Sequence, residues 1–225
     1  MISINVYADL IKSLPVGGQS IKIKKDSKFW DPTKTEFFDD VKEVVKAVFD
    51  ECSGDEKYIN ISRDDIKNTE GTEKKIVKIL MWGYPGGGQY GHVQDILLNL
   101  KDLVNWLEEN NGKNFDSVQD DALGNLSEIN GLGLSTISKL LYFFDVKIEN
   151  NPCQIYDGKV IKSLNKNHQI DELSSRNNWD RKDEDYEEYI DLLFRLSKKC
   201  NCSPDQIELF LFMINNSFNL GKDEK

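Results

Sequence analysis

Apolar positions recur along this chain mainly at helical spacing. Phe37, Val41, Val44, Val45 and Val48 fall at i, i+4, i+7, i+8 and i+11, and Val93, Ile96, Leu97, Leu100, Leu103 and Val104 make a second, longer stripe. Tyr186, Tyr189, Ile190 and Leu193 form a third. Each stripe predicts a helix with one face turned to a shared core. Ser203-Pro204-Asp205-Gln206 supplies an N-cap, a proline at the first helical position and a capping-box glutamine. The segment Ile207 to Ile214 that follows is apolar nearly all round, as suits a helix at the centre of a core. Alternating apolar and polar positions are short and few, so the spacing predicts an all-α protein. Gly, Pro, Asn and charge mark loops at 15–20, 26–35, 83–91, 109–114, 146–156 and 174–185, none with the composition of an interdomain linker. There is no repeat of solenoid length. Residues 1–225 are expected to form a single helical domain with one or two lobes, the tail Gly221 to Lys225 fraying.

Composition narrows the function classes. No apolar run reaches the length of about 18 residues that a membrane span needs, and Met1 opens a mixed sequence without the basic-then-apolar order of a signal peptide. Neither a membrane association nor secretion is expected, and the reading is cytoplasmic, nucleoid-associated if bacterial. Cys52, Cys153, Cys200 and Cys202 are too few and too irregular for a disulfide scaffold, and Cys200-Asn201-Cys202 lacks partner pairs for zinc or an iron–sulfur cluster. No structural metal is expected. With 39 acidic and 29 basic side chains the formal charge is -10, which argues against a chain whose whole surface grips nucleic acid. It leaves room for one basic face on an acidic body. The acidic run Asp180 to Glu188 reads as a solvated loop entering the Tyr186 helix.

The informative segment runs from Leu126 to Lys139. Ile129-Asn130-Gly131-Leu132-Gly133 joins one helical stretch to another, and Ile137, Leu140, Leu141 and Phe144 behind it predict an amphipathic helix beginning at about Leu134. This is the pattern of a helix-hairpin-helix, placed at 117–144. Glycines permit a tight turn with exposed backbone N–H groups, and these sit at a helix N-terminus whose dipole favours a phosphate. Such a hairpin grips DNA through Asn130, Gly131, Leu132, Gly133 and Thr136 with little side-chain charge, and a monovalent cation at the turn is compatible with it. The plainer alternative is a helix corner whose glycines serve packing alone. After the hairpin, Tyr156-Asp157-Gly158-Lys159-Val160 sets an aspartate at the mouth of a new helix, where it also suits a simple N-cap.

On these residues the chain resembles the helix-hairpin-helix DNA glycosylase superfamily, and in particular bacterial proteins of the 8-oxoguanine glycosylase fold. Ile129-Asn130-Gly131-Leu132-Gly133 is similar to the superfamily's Leu-Pro-Gly-Val-Gly hairpin, and Tyr156-Asp157-Gly158-Lys159-Val160 to its Val-Asp-x-x-Val segment. Trp82-Gly83-Tyr84-Pro85-Gly86-Gly87 and Ser138-Lys139-Leu140-Leu141-Tyr142-Phe143-Phe144 add to the likeness, which covers roughly residues 76–165. The resemblance implies a two-lobed helical fold and double-stranded DNA with a modified base as partner. It also implies that Asp157 is the carboxylate that stabilises the sugar cation or activates water. Strand-cleaving members carry a lysine two residues after the second hairpin glycine, where this chain has Ser135. The expectation is therefore a monofunctional enzyme needing no cofactor, with Lys139, one turn on along the same helical face, as the alternative amine. The hairpin proline is replaced by Asn130.

A flipped base must be stacked and hydrogen-bonded in a pocket. Trp82, Gly83, Tyr84, Pro85 and Gln89 offer rings, an amide and close backbone approach, and are the expected pocket wall, although the glycines also suit a helix-ending turn. Lys159, Lys162 and Lys139 give the expected DNA-facing side its positive charge; Lys22, Lys24, Lys25 and Lys28 read as a solvated loop. His92 is assigned a structural role. Three functions of different class remain open: a base-excising enzyme with 8-oxoguanine as first substrate, a non-catalytic DNA-binding module of a repair or genome-defence assembly, and a helical interaction protein.

Overall fold

The computed structural model describes residues 1–33, 39–87, 92–118, 124, 126–174, 176 and 178–214; Phe37, Gln89 and the tail Gly221 to Lys225 lie outside them. In chain order the elements are α1 (Ala8–Lys12), β1 (Ser20–Lys24), α2 (Asp39–Glu51), β2 (Tyr58–Ser62), α3 (Arg63–Lys67), α4 (Thr72–Gly83), α5 (His92–Leu98), α6 (Leu100–Asn110) and β3 (Asn114–Phe115). They continue with α7 (Leu134–Phe143), β4 (Lys147–Ile148), β5 (Asn151–Pro152), α8 (Gly158–Lys166), α9 (Asp183–Cys200) and α10 (Pro204–Ile214).

Helices dominate, but the expectation of a purely α fold is corrected by five short strands among the described residues. β1 pairs antiparallel with β2, Ile21 opposite Ile61 and Ile23 opposite Ile59, while β3 lies parallel to β4 and β4 turns back on β5. Ile21, Ile23, Ile59 and Ile61 alternate with polar residues, a period-two signal in β-branched residues that prefer a pleated surface. Lys22 and Lys24 are thus strand residues on the solvent side, not loop residues.

α4 is the axis of the molecule. Every side chain from Ile76 to Trp82 is buried, because α2, α6 and α7 pack around it. α7 has the same character: Thr136 through Phe143 are all buried, where an amphipathic helix was expected. The second apolar stripe forms two helices. Asn99 ends α5 by donating its side-chain N–H to the Asp95 carbonyl (2.9 Å), and the chain restarts as α6 at Leu100. The capping box at the start of α10 forms as expected, Ser203 N–H donating to Gln206 Oε1 (3.1 Å) and Gln206 N–H to Ser203 Oγ (3.3 Å). Buried apolar side chains from Ile4 to Ile214 join in one core.

Two ion pairs tie distant parts of the chain. Arg63, at the start of α3, and Glu208, in α10, are 1% and 0% exposed and bonded at 2.5 Å. Burial works against the charge on Arg63, but Glu208 and Tyr142 more than offset it and raise its pKa. Burial pushes Glu208 up to about 7 even beside Arg63, consistent with its Oε1 lacking any hydrogen-bond partner among the described residues. Near the surface, Glu172 accepts from Ser3 Oγ and the Ile4 N–H, both at 2.9 Å, and from Lys199. Burial alone would raise its pKa; these donors outweigh it and hold the group at about 2.

Two outcomes follow. Glu208→Ala strands a buried guanidinium and is expected to cost about 3–5 kcal/mol in urea unfolding, whereas Arg63→Met with Glu208→Leu recovers most of that loss. Glu172 has a folded pKa depressed below its unfolded value near 4.5. Its contribution is present above that value and is lost as pH falls toward 2, so the urea midpoint declines through that window and Glu172→Gln makes the decline shallower.

Candidate active site

A cavity of about 380 Å³ opens where five segments of the chain converge. β1 and the residue before it bring Ile21 and Gln19, the end of α4 brings Trp82, Gly83, Tyr84 and Pro85, α7 brings Ser135 and Lys139, the start of α8 brings Asp157, Gly158 and Lys159, and α10 brings Phe212. The volume lies within the range of about 300–1,000 Å³ usual for small-ligand sites.

Local structure fixes each wall. Asp157 is the N-cap of α8: its Oδ1 accepts from the N–H groups of Lys159 (2.9 Å) and Val160 (3.1 Å). Oδ2 takes no part in the cap, so capping and chemistry are compatible in one side chain. The stretch before it is extended and held by tyrosines. Tyr186 OH donates to the Gln154 carbonyl (3.0 Å), Tyr189 OH to the Ile155 carbonyl (2.9 Å) and Tyr156 OH to the Asp180 carbonyl (2.9 Å). Burial raises the pKa of all three phenols, which keeps them protonated donors. Tyr156 N–H also donates to Ser138 Oγ (3.0 Å), which sets Asp157 beside the neighbour of Ser138, Lys139.

Lys139 is 4% exposed, not the solvated lysine that its place on a helix suggests. Its Nζ donates to the Ser135 carbonyl (2.8 Å) and to Ser135 Oγ (3.0 Å). Burial lowers its pKa, while Asp157 and Glu208 act in the opposite sense and Arg181 and Arg63 add to the lowering. A larger share of neutral amine therefore exists here than on a free lysine. Gly83 makes room for the stem, since a Cβ there would lie 3.3 Å from Lys139 Cδ.

The aromatic wall is anchored from behind. Trp30 Nε1–H donates to the Tyr84 carbonyl (2.8 Å), and Tyr84 OH bonds Thr136 Oγ1. Trp82 is both core and wall: it packs edge-on against Phe143, and its Nε1–H reaches the Gln19 carbonyl (3.4 Å). Lys159 is exposed, with its Nζ 4.4 Å from the centre of the Phe212 ring.

The hairpin stands apart from the cavity lining. Gly131 has φ +88° and comes so close to His92 that a Cβ would lie 2.4 Å from its carbonyl oxygen, so glycine is required twice over. Leu132 is buried as the peg of the turn, while Asn130 and Gly133 are exposed. Gly133 is the N-cap of α7 and brings no side chain to cover its first turn. Thr136, expected on the DNA-facing side, is buried with its hydroxyl committed to Tyr84, a correction that follows from the core enclosing α7.

The cavity thus gathers Asp157, Lys139, Ser135, Lys159, Trp82, Gly83, Tyr84 and Pro85 from the expected set. Gln19, Ile21 and Phe212 escaped sequence reasoning because only strand pairing and the position of α10 bring them there. Arg181, from the run read as a solvated loop, also reaches the site: a Cβ on Gly158 would lie 3.1 Å from its guanidinium. Lys159 and Arg181 give this rim local positive charge on an acidic chain.

No helix among the described residues is long and apolar enough to cross a membrane. Comparison with curated proteins and with solved structures gave no significant match. A family model described as "Putative 8-oxoguanine DNA glycosylase OGG-like protein" matches residues 24–212, which span the hairpin and every wall of the cavity except Gln19 and Ile21. The chain belongs to this OGG-like family.

Proposed function

We propose that the protein is a DNA glycosylase that binds duplex DNA through the hairpin, flips a modified base into the cavity and excises it, with oxidised guanine as the first substrate to test. The observation that carries this reading is the presence of a carboxylate and a buried amine, Asp157 and Lys139, on one wall of a cavity lined by Trp82, Tyr84 and Phe212. Family membership supports it.

Breaking the glycosidic bond leaves positive charge on the sugar as the base departs with the bonding electrons. The Asp157 carboxylate stabilises that charge through its uncapped oxygen. A neutral Lys139 amine adds to the anomeric carbon and gives up a proton, the C1′–O4′ bond then breaks as O4′ takes a proton, and the protonated imine so formed permits strand cleavage by β-elimination. This replaces the expectation of a monofunctional enzyme, which rested on Ser135 alone; Ser135 instead accepts two hydrogen bonds that aim the Lys139 amine. The bared first turn of α7 receives a backbone phosphate.

Duplexes carrying single modified bases, 8-oxoguanine first, test the reading. Asp157→Asn is expected to reduce base release at least about 100-fold while duplex binding persists. Borohydride is expected to trap a protein–DNA adduct that Lys139→Gln abolishes, with trapping that increases with pH about a midpoint below the ordinary lysine range. Retained duplex binding without release of any base would instead identify a non-catalytic docking module in which Asp157 is only a helix cap.

A further inference from the structure

Arg181 belongs to the acidic run before α9, and three hydrogen bonds fix its stretch of backbone. Its N–H donates to Asp180 Oδ1 (2.8 Å), the Asp180 N–H donates to Asp185 Oδ2 (2.6 Å), and the Asp180 carbonyl accepts from Tyr156 OH (2.9 Å). Tyr156 directly precedes Asp157, so the segment that delivers the carboxylate also sets where Arg181 leaves the chain. The guanidinium lies so close to Gly158, the first residue of α8 and part of the cavity lining, that a Cβ there would stand 3.1 Å from Nη2. Its charge also favours the neutral form of Lys139, as that of Arg63 does.

The guanidinium makes no hydrogen bond or ion pair among the described residues, in spite of its acidic surroundings. The nearby carboxylates are engaged elsewhere: Asp185 and Glu188 with Arg176, Glu187 with the Val118 N–H, and Asp180 with the backbone of Arg181. Lys159, the other cation at this rim, has its ammonium against the ring of Phe212. Arg181 thus keeps a planar fork of unused donors at the edge of the cavity, a geometry that matches two oxygens of one phosphate.

Asp157 and Lys139 define where the anomeric carbon of a flipped nucleotide must sit. The phosphates flanking that nucleotide stand one sugar's width away, and next to Asp157 the chain offers Gly158 with Arg181 against it. We propose that Arg181 binds a phosphate flanking the flipped nucleotide. The proposal rests on the glycosylase reading and adds to it the group that fixes the sugar relative to the carboxylate and the amine. A contact to phosphate carries no sequence information, so Arg181 acts alike whichever base is flipped.

Arg181→Gln and Arg181→Lys are compared with the wild type in binding to a duplex with a tetrahydrofuran abasic site, and in base release from duplexes carrying modified bases, 8-oxoguanine first. Arg181 is exposed, so neither variant is expected to disturb folding. Arg181→Gln is expected to weaken binding about 10-fold and to make the slope of log affinity against log salt shallower by about 1, while Arg181→Lys keeps the slope. A methylphosphonate, which lacks the charge of the phosphate it replaces, is then placed on the 5′ or the 3′ side of the abasic site. At one of these positions it is expected to weaken the wild type as much as Arg181→Gln does and to cost that variant nothing further, which identifies the phosphate held. An unchanged salt slope in Arg181→Gln, or losses that add at both positions, overturns the role of Arg181 and leaves the glycosylase reading standing on base release. A wild type that releases no modified base removes that reading and this one with it.

Discussion

Arg63 carries a full positive charge into a place that water hardly reaches, and much of the molecule is arranged to answer it. Glu208 supplies the counter-charge from α10, Gln19 an amide oxygen from the approach to β1, and the rings of Trp82 and Tyr142 lie against the guanidinium. Those four residues come from four separate elements or loops. A guanidinium suits such a junction because its donors lie in one rigid plane and it stays charged on burial. The pairing adds less net stability than its short distance suggests, since desolvating both charges offsets most of the attraction. What it supplies is geometry: the wall made by Gln19 and Trp82 is fixed relative to α7 and α10.

A second constraint acts on the Asp157 side of the cavity. The extended stretch before α8 offers its backbone carbonyls to buried tyrosine hydroxyls of α9, and Asp157 is delivered at its end. The same economy appears in Asp157 itself, where one oxygen terminates a helix and the other remains for chemistry. Because Tyr156 also bonds Ser138, the carboxylate and the Lys139 amine are located by one short hydrogen-bonded path rather than by two independent loops. Charge follows the same division of labour. A chain of formal charge -10 keeps Lys159 and Arg181 at the rim of this cavity and leaves the first turn of α7 without a capping side chain.

The hairpin, the Asp157 cap, the α10 capping box and the apolar stripes are all legible in the sequence. Each depends on residues within a few positions of one another: a positive φ at Gly131, a cap bonded two and three residues ahead, a side chain one turn away. Even the misread strands left a local trace in the alternation of Ile21, Ile23, Ile59 and Ile61. That trace is short, and Lys22 and Lys24 beside the β1 isoleucines also suit a solvated loop. The second stripe was divided at Asn99 because an asparagine side chain can end a helix that apolar spacing alone would continue.

By itself, then, the sequence determined the helices, their caps, the glycine-dependent turn and an aspartate at a helix mouth. Tertiary structure alone decided that Lys139 is buried beside that aspartate, that Thr136 is buried against Tyr84, and that Gln19 and Phe212 share a cavity with both. The reason is separation along the chain. Arg63 and Glu208 lie 145 positions apart and Arg63 and Gln19 lie 44 apart. No local periodicity encodes such contacts; they exist only once strand pairing and core packing have paid the entropy of bringing the segments together.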